Sequence, residues 1–219
     1  FYRYDNRKGL QLRTLQQPLF TPETEWVPPD RLPDLSSHLE IAIDLETRDP
    51  NLLTMGSGSV RRDGEIVGIA VAVEGWSGYF PIAHEGGGNM DRGLVLDWFE
   101  ELLQTTSTKI FHNAMYDVSW IRSMGFYING GIIDTMIAAS LIDENRWSFT
   151  LDSVGKDYIG MRKNEKLLQD AAKDFGVNPK AEMWRLPAPF VGEYAEKDAE
   201  MTLKLWHALQ HEISKQDLW

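Results

Sequence analysis

Asp44 and Glu46 stand two positions apart, separated by Leu45, at the end of the apolar run Ile41-Ala42-Ile43. Side chains alternate between the faces of a strand, so this spacing puts both carboxylates on one face and turns Leu45 into the core. Two carboxylates on one patch repel, and one is pushed toward its protonated form. A hard divalent cation such as Mg²⁺, which prefers carboxylate oxygens, turns that repulsion into coordination. Two more acidic positions extend the set. Asp117 follows His112-Asn113-Ala114-Met115-Tyr116, and Asp198 lies one helical turn after Tyr194, on the same face as that phenol. Each position alone has a structural reading: a solvated strand end for Asp44 and Glu46, a helix-dipole partner for Asp117, a core tyrosine with a wet hydroxyl for Tyr194.

The elements that must position these groups are read from periodicity. After the acidic strand come a Gly/Ser-rich connection over 55–59 and two strands, 65–73 and 78–82, joined by a turn at Gly75-Trp76-Ser77. This predicts an antiparallel meander. Leu94, Val95, Trp98, Leu102 and Leu103 recur at helical spacing and predict a helix over 91–104 that covers the sheet. A strand at 109–112 runs into a helix with Val118 and Ile121 turned inward. Asp117 is thereby placed in the first turns of a helix at the carboxyl edge of the sheet, where ligands of α/β folds gather. A last strand at 131–134 leads into a helix at 135–142. Beyond it, helices are predicted at 150–158, capped by Thr150, at 165–175, ended by Gly176 and Pro179, and at 190–214, with a loop over 181–189.

Residues 1–33 hold a basic arm (Arg3, Arg7, Lys8, Arg13) and then Pro18, Pro22, Pro28, Pro29 and Pro33, a density that disfavours regular structure. They predict an extended, Pro-rich lead-in ahead of one domain over 34–219. The chain has 219 residues with 42% hydrophobic content, enough for a sizeable core, so disorder is not the expectation. No cysteine is present, which excludes disulfides and thiolate metal sites and fits an intracellular protein. No apolar run is long enough to cross a membrane, so no membrane partner is expected. A net charge of −11 argues against broad duplex binding, although two divalent ions would cancel four ligand carboxylates.

In this order, Asp44-Leu45-Glu46-Thr47, His112-Asn113-Ala114-Met115-Tyr116-Asp117 and Tyr194-Ala195-Glu196-Lys197-Asp198 resemble the motifs of the DEDD superfamily of 3′–5′ exonucleases, in its tyrosine-bearing branch. The resemblance runs from about residue 39 to 209. Two further segments, Asp134-Thr135-Met136-Ile137-Ala138-Ala139 and 150–160, narrow it to the proofreading exonuclease domain of family A DNA polymerases. The Pro-rich leader and the long loop before Tyr194 resemble phage enzymes more than cellular ones. The resemblance implies a ribonuclease H-like α/β fold, a mixed five-stranded sheet with helices on both faces. It implies two divalent metal ions, Mg²⁺ or Mn²⁺, clamping the attacking and leaving oxygens of an in-line displacement. Asp44 would bridge both ions, Glu46 and Asp198 would complete the first, and Asp117 would support the second mostly through water. Tyr194 would orient the attacking water.

For the substrate, the resemblance implies contacts from Thr47 and Asn113 to the terminal nucleotide, and an apolar wedge between the last two bases. Leu52 and Leu53, with Pro50, are the wedge candidates, at a spacing that departs from the family's pattern. The expected substrate is a single-stranded or frayed DNA 3′ end, since stacking on apolar groups needs an unpaired base. The expected function is release of nucleoside 5′-monophosphates in proofreading, with a polymerase domain following Trp219. The expected location is the cytoplasm, that of the host cell for a phage protein. Two rivals stand beside this reading: an RNA-trimming nuclease like ribonuclease D, and an inactive exonuclease fold that serves only to bind.

Overall fold

The computed structural model describes residues 23–217; the basic arm and Trp219 lie outside them. Strands β1 (Glu40–Arg48), β2 (Glu65–Val73) and β3 (Trp76–Pro81) form an antiparallel meander. β4 (Thr108–Phe111) and β5 (Ile132–Asp134) add in parallel on the other side of β1, giving the order β3-β2-β1-β4-β5. This is the mixed five-stranded sheet that the resemblance implies. The hairpin is tighter than expected. Val73 pairs with Trp76, so the turn needs only Glu74 and Gly75, and the glycine takes the positive φ of 79° that such a turn demands.

The stretch after β1 is likewise more ordered than a Gly/Ser connection. Two single helical turns, α1 (Leu52–Met55) and α2 (Gly58–Arg61), occupy it. They are too short for periodicity to reveal. Both Asp49 carboxylate oxygens accept from the Gly58 N–H, at 3.1 and 3.0 Å, and Arg61 pairs with the same carboxylate. The remaining helices are α3 (Arg92–Gln104), α4 (Ala114–Ser123), α5 (Thr135–Ile142), α6 (Leu151–Ile159), α7 (Lys166–Phe175) and α8 (Gly192–Lys215). The predicted loop over 181–189 contains two 3-10 turns, Met183–Arg185 and Ala188–Phe190. Among the described residues no helix is long and apolar enough to cross a membrane.

The two faces of the sheet are paved differently, and that difference positions the acids. On one face Ile41, Ile43 and Leu45 of β1 pack with Ile69, Val71 and Phe80 against α3 and α4. Phe99 completes this contact, while Leu94, expected there, is 62% exposed. On the other face the strands present Ala42, Ala70 and Ala72, and α5 to α8 cover them. Small residues let α8 lie close across β1 to β4. Asp44 and Glu46 continue the Ala42 row, so they emerge beneath α8.

Gly68 belongs to the same lane, opposite Glu46. A Cβ at this position would stand 2.0 Å from the Tyr79 hydroxyl, and Tyr79 is fully buried. Gly68→Ala is therefore expected to cost about 2–3 kcal/mol as an overpacked core. The urea midpoint should fall with the m-value unchanged; a midpoint equal to wild type would mean that the Tyr79 ring can move aside freely.

Residues 23–39 form neither helix nor strand; their first part lies against the start of α8, and Leu32, Pro33 and Leu35 lie by α3, whose Trp98 indole N–H donates to the Pro33 carbonyl at 2.8 Å. The Trp26 indole N–H donates to Glu196 Oε1 at 2.9 Å, and Thr24 Oγ1 donates to the Pro189 carbonyl at 3.2 Å. Gly192 is required by this packing, because a Cβ there would meet the Trp26 ring at 2.0 Å.

Candidate active site

Three elements converge on one end of β1. Asp44 and Glu46 point from its α8 face, and the pairing with β2 slips just after Glu46, where Val67 of β2 has no partner on β1. Asp117 sits in the first turn of α4, 5% exposed, and its Oδ1 accepts from the Leu45 N–H at 3.0 Å, which ties α4 to the strand between the two acids. Tyr194 and Asp198 come from the first turns of α8, and Asp198 is 4% exposed. The structure thus brings together all five residues that the motifs single out.

The start of α4 is fixed by a residue that the sequence marks only as a motif member. Asp134, at the end of β5, accepts from the Asn113 N–H at 3.0 Å and the Ala114 N–H at 2.8 Å, and also from the Met136 N–H at 2.9 Å. One carboxylate therefore caps α4 and α5 together. Asn113 itself takes the left-handed conformation, φ 68°, which asparagine tolerates better than most residues.

Lys163, in the link between α6 and α7, is the group that sequence reasoning missed. Its Nζ donates to Tyr194 Oη at 3.1 Å and to Asp198 Oδ2. No motif or periodicity marks it. A groove of about 830 Å³ opens from Tyr194 past Lys163, Arg162, Lys166 and Lys180, a basic strip on an acidic chain.

Burial and mutual repulsion dominate the electrostatics. Burial, then the charge of Asp198, raises the Asp44 carboxyl to about 7, against the pull of Lys163. Burial, then Asp44 and Asp198, holds Glu46 well above the usual carboxylate range. Burial and Asp44 do the same to Asp117, against the hydrogen bond from Leu45. Asp198 is also raised by burial, with its lysine partner opposing. Burial, then Asp198, Glu46 and Asp44, keeps Tyr194 a neutral phenol.

Among the described residues no three acidic or histidine side chains are already drawn into a ligand set. Two of the oxygens are engaged elsewhere, Asp198 Oδ2 on Lys163 and Asp117 Oδ1 on the Leu45 N–H. The donor chemistry nevertheless fits a divalent cation. Asp198 Oδ1 is buried with no partner, and the high proton affinity of Asp44 and Glu46 comes from burial and like charge, the two conditions that a bound cation relieves.

The substrate candidates are placed less uniformly. Thr47 Oγ1 lies 2.7 Å from the Tyr116 hydroxyl, so it already has a partner. The Asn113 side chain makes no capping hydrogen bond, which leaves its amide available. Leu52 and Leu53, on α1, are 38% and 96% exposed.

Behind Glu46, the Tyr79 hydroxyl and His84 Nε2 lie 2.6 Å apart, and His84 Nδ1 faces the Leu186 carbonyl at 2.9 Å. Burial lowers His84 to about 4. Because the unfolded state binds that proton near 6.5, this group's contribution is complete above 6.5 and is lost as pH falls toward 4. Between pH 7 and 5 the loss should be about 2 kcal/mol. The buried acids, with raised values, push the opposite way, so the wild-type slope is a sum. Urea titrations of wild type and His84→Gln at both pH values isolate the histidine: the difference between them should shrink at pH 5, and a constant difference would contradict the assignment.

The sheet order, the helices on both faces and the acids at the end of β1 define a ribonuclease H-like nuclease fold. Solved structures share it: Trypanosoma brucei RNase D, 21% identical with a TM-score of 0.59 over 80% of this chain and 58% of that one, and Brucella melitensis NrnC with bound Mg²⁺, 19% identical with a TM-score of 0.56 over 84% and 78%. A family model described as 3′–5′ exonuclease, of the DNA polymerase A type, matches residues 28–214, and the chain belongs to that family. Among similar proteins are a DNA-directed DNA polymerase of Pseudomonas phage M6, 39% identical over 94% of this chain, and DNA polymerase I of Borreliella burgdorferi, 26% identical over 86%. The chain spans 32% of the length of the first and 19% of the second.

Proposed function

We propose that this chain removes nucleotides from DNA 3′ ends by hydrolysis, releasing nucleoside 5′-monophosphates, and serves as the proofreading part of a family A polymerase. One observation carries the reading: Asp44, Glu46, Asp117 and Asp198 converge with Tyr194 at one strand end, in a chain that belongs to a 3′–5′ exonuclease family. Asp44, Glu46, Asp117 and Asp198 would hold two divalent ions, Mg²⁺ or Mn²⁺. Bound there, the ions supply Lewis-acid charge to the attacking and leaving oxygens. Tyr194 orients the attacking water. Asn113 contacts the terminal nucleotide, Thr47 does so through its backbone or its shared hydroxyl, and exposed Leu52 and Leu53 part the last bases. DNA is favoured over RNA by the polymerase relatives, and a polymerase domain is the expected covalent partner.

A 5′-labelled DNA oligonucleotide and its RNA counterpart, each with Mg²⁺, Mn²⁺ or EDTA, test this. A ladder on DNA with metal and none with EDTA is expected. A ladder on RNA alone would support the ribonuclease D-like reading, and none on either would support a binding module.

A further inference from the structure

Lys163 enters the site from outside the three motifs. Its backbone N–H donates to Asp152 Oδ1 at 3.0 Å, which pins the α6–α7 link to the first turn of α6. The side chain is 18% exposed, and its Nζ stands 5.0 Å from the centroid of the Tyr194 ring. Of its three N–H donors, one goes to Tyr194 Oη and one to Asp198 Oδ2. Each bond has a geometric consequence. Accepting from the ammonium fills one lone pair of the phenol oxygen, so the Tyr194 O–H must turn away from Lys163. Holding Oδ2 leaves Oδ1 as the open oxygen of Asp198, buried and without a partner.

We propose that Lys163 is a positioning residue of the reaction: by donating to Tyr194 Oη it sets the rotation of the Tyr194 hydroxyl, so that the O–H faces the attacking water. This rests on the exonuclease reading of the site. Two other roles leave different traces. A lysine that only attracts the nucleic-acid backbone changes KM, and one that only ties the link down changes stability. A lysine that works through Tyr194 changes kcat, and the change depends on the tyrosine being present.

The test compares wild type, Lys163→Met, Lys163→Arg, Tyr194→Phe and the double variant Lys163→Met/Tyr194→Phe on a single-stranded oligonucleotide with Mn²⁺. Lys163→Met should lower kcat by about 10–100-fold with KM within about twofold. Lys163→Arg, which keeps a charged donor, should recover part of the loss. The double variant should be no slower than Tyr194→Phe by more than about twofold. Calorimetric Mn²⁺ binding gives a readout apart from turnover. With a neighbouring positive charge removed, Lys163→Met should bind Mn²⁺ as tightly as wild type or tighter. Losses that multiply in the double variant, a change confined to KM, or Mn²⁺ affinity that falls together with kcat would each overturn the positioning role while leaving the exonuclease reading intact. An inactive wild type would sink both.

Discussion

Asp44→Asn is expected to abolish exonuclease activity while leaving the metal-free protein at least as stable as wild type. Asp44 continues the Ala42 row beneath α8, and what acts on its carboxyl is burial and the charge of Asp198, which together raise it to about 7. Asparagine keeps the shape and removes a charge that the fold disfavours. The sign with pH follows. A carboxyl raised in the folded state contributes fully below its unfolded value of 3.8, and that contribution is lost as pH rises toward about 7. The variant's advantage over metal-free wild type should therefore widen from pH 5 to pH 8. Mn²⁺ reverses the ranking, because ligand linkage stabilises wild type by about 2.7 kcal/mol at a hundredfold excess over the dissociation constant. That gain should largely vanish in Asp44→Asn. Thermal melts in EDTA and in Mn²⁺ check both halves, and a variant that melts well below wild type in EDTA would show that Asp44 holds the fold together.

Tyr194→Phe is expected to lower turnover by about 10–10³-fold, the range for lost positioning in the transition state, with Mn²⁺ affinity barely changed. The ring is held by α8, and the hydroxyl by the Lys163 ammonium at 3.1 Å, so phenylalanine removes one oxygen and leaves the packing in place. The phenol stays protonated, since burial and three nearby carboxylates oppose its ionisation. Its removal should therefore scale the rate at every pH near neutrality without adding or deleting an ionisation in the profile. Asp198→Ala is the comparison. It should weaken Mn²⁺ binding strongly, and a Tyr194→Phe protein weakened as much would show that the tyrosine belongs to the metal shell.

The acids are legible in the sequence because two pairs obey a local period and the motif resemblance joins Asp117 to them. Asp44 and Glu46 share a face by the alternation of a strand, Tyr194 and Asp198 by one helical turn, and Asp117 by its place just after a strand end. The three-strand meander is legible for the same reason, whereas the parallel addition of β4 and β5 beside β1 is what the resemblance implies. What the sequence hides is set by contacts between distant residues. Lys163 reaches Tyr194 and Asp198 only because Asp152 holds its backbone. Asp134 reads as a strand end, yet it caps a helix that begins twenty residues earlier in the chain. α1 and α2 are single turns, the second held by the Asp49 carboxylate, and no period exists over four residues. His84 pairs with Tyr79 across a tight loop that composition alone does not foretell.

The lane of Ala42, Ala70 and Ala72 acts as a gauge block. It sets the height at which α8 rides over the sheet, and so the gap between the acids on β1 and those on the helix. The proposed chemistry is therefore adjustable from positions that carry none: a methyl or two added along the lane would shim the helix outward and widen the gap between acids that remain unchanged. Drift in rate among close variants of this chain should be sought there, in the smallest side chains, before the acids themselves.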